Sequence, residues 1–170
     1  LAELRTPGGR EGARRQLAAA GEQAAAPVAA ALADADVPTA VAALQVLQQV
    51  GGAAQADAVL AVFRDANQPL DVRTEAGVTL GAIKAAKAVP ALIDALDDEW
   101  LRIAETARGA LVEIGEPAVA PLLTRYRQAA AQAQGQDWLL YRSLMVLGGI
   151  GTDTCKKELL EALKADRGPR

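Results

Sequence analysis

The feature that most constrains this chain is a repeat of about 31 residues. The run Leu80, Gly81, Ile83, Val89, Pro90, Leu92 lies over Leu111, Val112, Ile114, Ala120, Pro121, Leu123 at a shift of 31, with the Leu, Ile and Pro positions coinciding. Leu17 to Gly21, running on to Pro27, repeats the frame, and so do Leu47 to Gly51 and Leu147 to Gly151. The turn position falls at 21, 51, 84, 115 and 151, so the spacings are 30, 33, 31 and 36. A unit this short cannot bury its own apolar face, so neighbouring units must stack on one another.

Each unit reads as two helices. In the first, columns 72, 76, 80 and 83 share a face at 3.6-residue periodicity. Column 80 is Leu throughout (Leu17, Leu47, Leu80, Leu111, Leu147), and column 76 is small (Ala13, Ala43, Ala76, Ala107, Ser143). A small column beside a large one lets helices approach closely at every step of a stack. Gly21, Gly51, Gly115 and Gly151 mark the helix ends, where glycine tolerates a left-handed cap. Lys84 stands in that column and is expected to strain or shift its turn. The second helix starts near Pro27, Pro90 and Pro121, with proline in the first turn. Its expected buried face is Val89, Leu92, Ile93 and Leu96 in the third unit and Ala56, Val59, Leu60 and Phe63 in the second.

The fold expected is all-α, an α-solenoid (an α-α superhelix) of about five helical hairpins forming one domain over 1–170. Its units run approximately 8–36, 37–66, 69–98, 99–134 and 137–165. Gly8, Gly9 and Gly12 make a poor first helix, which points to an adapted cap or an exposed edge. The stretch Gln128 to Gln136 reads as an extended helix followed by a loop, and the tail after Asp166 as frayed.

Composition excludes several chemistries. The chain has no His and one Cys, Cys155. Ser-His-Asp and Cys-His nucleophile systems are therefore absent, as are disulfides and His-containing zinc sites. No carboxylate loop of calcium-binding spacing occurs, so no catalytic residue, cofactor or metal is assigned. Charge is balanced, with 18 Lys+Arg against 21 Asp+Glu, and aromatics are 3%. Nucleic-acid binding needs a basic stripe and stacking rings, and the chain offers neither. Residues 37–56 are uncharged but contain four Gln, two Gly and a Pro, too polar to cross a bilayer. No membrane insertion is expected, and a cytoplasmic location is the working expectation.

Asp71-Val72-Arg73 with Ala76, the Leu80-Gly81-Ala82-Ile83 turn, and Ala88-Val89-Pro90-Ala91-Leu92-Ile93 together resemble HEAT repeats. The period is that of the short bacterial type also seen in phycobilin lyase subunits, and the resemblance covers roughly residues 8 to 165. The Asp-x-Arg pair is complete only at Asp71/Arg73. Arg10 keeps the Arg column, whereas Ala40, Ala104 and Leu140 do not, so a continuous Asp–Arg ladder is not expected.

The resemblance implies that the second helices line a concave binding face. Columns 87, 91, 94 and 98 would then be outward-facing. The candidate partner-binding residues are Val28, Ala31, Ala58, Ala61, Asp65, Asp94, Asp98, Leu122, Arg125, Glu158 and Glu161. They would form a groove, smooth at one end and charged at the other, for a partner helix or peptide. The competing reading is that alanine simply fills an exposed helix face. Trp100 and Trp138, with Tyr126 and Tyr141, are either interface anchors or, as the preferred reading for the tryptophans, staples across the repeat junctions. Gly148, Gly149 and Gly151 resemble a phosphate loop but lack a preceding strand and a Lys-Ser/Thr end. Cys155 beside Lys156 and Lys157 is read as an ordinary small residue, and Asp94, Asp97, Asp98 and Glu99 as a charged turn.

Two function classes follow. The first is a non-enzymatic interaction module or scaffold, with a protein or peptide partner, within a longer chain or assembly. The alternative is a phycobilin-lyase-like or other enzyme-accessory subunit. Among HEAT-type enzymes, deoxyhypusine hydroxylase-like chemistry needs His-Glu metal ligands, and HEAT-type DNA glycosylases a basic, aromatic cleft. Neither requirement is met here.

Overall fold

A computed structural model describes residues 2–131 and 137–166. The described residues form ten α-helices and short 3-10 turns. In chain order the helices are α1 (Arg10–Ala19), α2 (Glu22–Ala30), α3 (Val37–Val50), α4 (Ala56–Arg64), α5 (Leu70–Ala82), α6 (Val89–Asp94), α7 (Leu101–Ile114), α8 (Glu116–Ala131), α9 (Asp137–Ile150) and α10 (Asp153–Asp166). The odd-numbered helices pack side by side in a row, each on the next. The even-numbered helices form a second layer, α2 seated on α3, α4 on α5, α6 on α7 and α8 on α9. The protein is an all-α solenoid.

The apolar columns explain this stacking. Ala13, Ala43, Ala76, Ala107 and Ser143 are all buried, as are Leu47, Leu80, Leu111 and Leu147, while Leu17 at the first unit is half-buried. The row is tight because glycine lies at the contacts. A Cβ on Gly81 would stand 2.9 Å from the Ala110 Cα of α7, and one on Gly77 would stand 2.6 Å from Thr106 Cγ2. At the next junction a Cβ on Gly149 would meet Val112 Cγ2 at 2.7 Å. The Ser143 hydroxyl is buried with no hydrogen-bond partner, the one polar intrusion in the small column.

Polar contacts cross the junctions at about one repeat length. Arg14 donates to Gln45 at 2.8 Å, Arg102 pairs with Asp71 at 2.7 Å, Lys87 with Asp57 at 2.9 Å and Arg127 with Glu158 at 2.7 Å. Asp71 is thus bridged to the next unit by Arg102, which stands outside the Asp-x-Arg columns. Arg73 of that motif turns instead to Asp98, at 3.1 Å.

The helix-end column behaves unevenly. Gly21, Gly115 and Gly151 take φ of 63°, 77° and 69°, whereas Gly51 has φ of −79° and closes α3 without the left-handed turn expected of it. Lys84 holds the left-handed conformation with φ of 50°, so its turn is strained and not displaced. Its ammonium donates to the Glu113 carbonyl at 2.7 Å, placing a cation at the C-terminal end of α7.

The poor first helix forms nonetheless. Ahead of α1 a 3-10 turn, Ala2–Arg5, buries Leu4 in a small cluster with Ala13 and Ala42. Thr39 and Arg10 both donate to the Leu4 carbonyl. The fourth-unit helix extends to Ala131 as expected. The loop expected after it and the tail expected to fray, residues 132–136 and 167–170, lie outside the described residues.

Candidate functional site

The second-layer helices bury the face expected of them in units two and three. Val59, Leu60, Phe63, Val89, Leu92, Ile93 and Leu96 all lie in the core. In units one and four the expected register is wrong by one residue. Val28 and Leu122 are fully buried, at 0% exposure each, so neither presents a surface to a partner. The cause is the length of the turn. Between Ile83 and Val89 the chain makes the Lys84 turn and a 3-10 turn, Ala86–Ala88, while after Ile114 it turns on Gly115 alone and enters α8 at Glu116. One residue is lost there, so Val119 takes the place of Val89 and Leu122 that of Leu92. Each step along an α-helix rotates a side chain by about 100°, enough to carry Leu122 from the surface column into the core.

The remaining candidates divide by chemistry. Ala31 and Ala58 are half-buried, and Ala61 is exposed. Arg125 is half-buried on α8. Asp65 is engaged in its own turn: Asn67 donates to its Oδ1 from backbone N–H at 3.0 Å, and Gln68 donates to Oδ2 at 3.3 Å. These bonds, the Asn67 N–H foremost, hold its carboxyl below the ordinary range. Glu158 pairs with Arg127 across a junction. Glu161 accepts from Lys164 at 2.9 Å, and that hydrogen bond lowers its pKa.

Asp94 and Asp98 are brought together. With Phe63, Arg64 and Arg73 they line a cleft of about 260 Å³ between the second and third units. Asp98 is committed twice: its Oδ1 accepts the Trp100 N–H at 2.9 Å at the start of α7, and its Oδ2 pairs with Arg73. Arg73 in turn donates from Nε to the Phe63 carbonyl at 3.2 Å, tying α5 to α4. This ion pair is largely covered, with side-chain exposures of 13% and 17%. Asp94 is exposed on the rim. The cleft therefore has a fixed floor and an exposed carboxylate at its mouth. A larger recess of about 380 Å³ lies on the other layer between α5 and α7, around Val78, Arg102 and Gly109.

The tryptophans are not staples. Trp100 is 54% exposed and Trp138 69%. Trp138 meets Tyr141 edge-on, ring centroids 6.3 Å apart, and Met145 continues the same face of α9. This surface was missed as a site, although the spacing 138, 141, 145 was its signal in the sequence. Cys155 is a buried free thiol that accepts a hydrogen bond from the Thr152 hydroxyl at 3.2 Å, in keeping with a packing residue. No group of His, Cys, Asp or Glu among the described residues is placed to hold a metal ion. No helix among them is long and apolar enough to cross a membrane.

Residues 72–98, spanning most of α5, all of α6 and the Asp94–Asp98 side of the cleft, match the family model of the PBS lyase HEAT-like repeat. This is a HEAT-like repeat solenoid. No curated protein matches the sequence. Among solved structures, human deoxyhypusine hydroxylase in complex with glycerol superposes with a TM-score of 0.58 at 23% identity, over 95% of this chain and 64% of that one. The HEAT-like chain thus spans somewhat under two thirds of that protein. The likeness is one of fold, and it corrects the expectation of a non-enzymatic chain: the scaffold that suggested a bare interaction module is also that of an enzyme.

Proposed function

We propose that this HEAT-like solenoid is an enzyme-accessory subunit, similar to the phycobilin-lyase type, that holds a protein partner along its second layer of helices. The match of residues 72–98 to the PBS lyase HEAT-like repeat carries the reading. The same stretch supplies the cleft with Arg73, Asp94 and Asp98. In this reading the Arg73–Asp98 pair keeps the cleft in shape, and Asp94 selects a basic side chain on the partner. Ala58 and Ala61 on α4 extend the surface with a smooth, small-residue strip against which a helix can lie.

The test is co-purification from the source organism with the intact chain, beside an Asp94→Lys/Ala61→Glu variant, followed by assay of what is retained. The expected result is an enzyme subunit held by the first and lost by the second, whose activity falls without the chain and returns on adding it back. A retained protein whose activity is indifferent to the chain overturns the accessory role. Titration with a free bilin, read as a shift of its visible spectrum, tests whether the chromophore itself is bound.

A further inference from the structure

Solenoids end in units whose outer face is polar, because a bare stacking face exposes apolar surface to water. The N-terminal end of this one obeys that rule. Gly12 and Gln16 of α1 hold the columns of Glu75 and Thr79, through which α5 meets α3, and the neighbouring exposed residues are Glu11 and Arg15. The C-terminal end does not. Trp138, Tyr141 and Met145 of α9 hold the columns of Asp71, Thr74 and Val78 of α5. In α5 those positions face the next helix: Asp71 pairs with Arg102, and Thr74 and Val78 line the recess against α7. In α9 the same side is uncovered, with exposures of 69%, 56% and 46%. On α10, Leu160 stands in the column of Ile93, yet is 57% exposed where Ile93 is 4% exposed. The stacking surface continues past the last unit with large apolar side chains on it.

The chain's own undescribed segments carry nothing to cover it. Residues 132–136 are Gln-Ala-Gln-Gly-Gln and residues 167–170 are Arg-Gly-Pro-Arg, neither with a large apolar side chain. Head-to-tail stacking of copies would set this face against the polar α1 end, which offers no apolar counterpart. Face-to-face pairing does offer one. We propose that the C-terminal face of α9 and α10 is a two-fold interface with a second copy of this chain. The two α9 helices run antiparallel, so that Trp138 of one copy lies against Met145 of the other and the Tyr141 rings meet near the axis. A two-fold contact requires such self-complementarity, and thioether sulfur against an indole is a favourable partner. Charges on α10 are of both signs and locally paired, Lys156 with Asp153 and Lys164 with Glu161, so self-pairing meets no field of a single sign. The uncovered area of these four side chains is on the order of 500 Å² per copy. Doubled, it reaches the lower bound of specific interfaces, about 1,000 Å² in total. The dimer is therefore weak and concentration-dependent.

Sedimentation equilibrium of the intact chain over a wide concentration range tests this, beside Tyr141→Glu, Met145→Glu and the control Ala61→Glu, each checked for native helicity by circular dichroism. The expected result is a monomer–dimer equilibrium, weakened at least tenfold by either α9 substitution and unmoved by Ala61→Glu. In a Trp100→Phe background, the Trp138 emission shifts to the blue as concentration rises. A chain monomeric at every concentration overturns the proposal, as does an open-ended series of larger species. A dimer unaffected by the α9 substitutions also overturns it. Should a glutamate variant fail to fold, Tyr141→Ser answers the same question without introducing charge.

Discussion

Replacing Gly81 and Gly109 by alanine should move stability in opposite directions, although both substitutions make the same chemical change in a helix. Both glycines lie in mid-helix on the α5–α7 junction. In an open site, Gly→Ala in a helix gains about 1 kcal/mol. Gly109 is such a site, since a Cβ there meets nothing within 4 Å. At Gly81 the new Cβ would sit 2.9 Å from the Ala110 Cα and 3.2 Å from the Ala110 Cβ. Carbon atoms rest at about 3.5–4.0 Å, so the helices must part by roughly half an ångström or more. The obstacle is backbone and cannot rotate away. Overpacking of this kind costs about 1–3 kcal/mol, which offsets the propensity gain or exceeds it by up to about 2 kcal/mol. The two variants should therefore differ by about 1–3 kcal/mol, Gly109→Ala above the parent and Gly81→Ala at or below it. Urea unfolding followed by circular dichroism measures the difference. Because both sites lie on one junction, any departure of a repeat array from two-state unfolding affects them alike. Equal stabilisation of the two variants would refute the close approach of α5 and α7.

Leu122→Ala should cost about 2–5 kcal/mol, as for a core leucine, while Thr124→Ala on the exposed side of α8 should be nearly neutral; equal effects in denaturant would refute the one-residue shift of register. Lys84→Gly relieves a left-handed side-chain conformation and should stabilise by about 1 kcal/mol, whereas Gly115→Ala at the equivalent turn should destabilise by a similar amount; thermal midpoints of the pair check this. Asp36 caps α3 by accepting the Thr39 N–H at 3.0 Å, and the Thr39 bonds hold its carboxyl below the ordinary 3.8. With the folded value lowered, its contribution is present above that range and is lost as pH falls through the folded value. Asp36→Asn keeps a cap without the titration, so its thermal midpoint should fall less than the parent's between mildly acidic and strongly acidic solution.

The fold was legible because its determinants recur. Leucine at 47, 80, 111 and 147 and the small column from Ala13 to Ser143 each report the same environment at successive steps, and repetition turns a weak local preference into a firm register. The cleft was legible only in pieces. Asp94 and Asp98 could be placed on one helix face, but that Asp98 is bound by Arg73 and by the start of α7 depends on how unit three docks on unit two. The partner-face assignments of Val28 and Leu122 failed where a turn changed length by one residue, since columns counted from proline cannot register a deletion upstream of it.

The amino-acid sequence by itself determined the helical hairpins, their stacking and most of the buried columns, because these follow from periodicities within a helix and between neighbouring repeats. Tertiary structure alone decided which exposed-looking positions are covered. Whether Gly81 is a tolerated helix weakness or a contact, and whether Trp138 staples a junction or stands bare, depends on the distance to a side chain some 30 residues away. That distance is set by how whole helices pack, not by the residue's own neighbours in the chain.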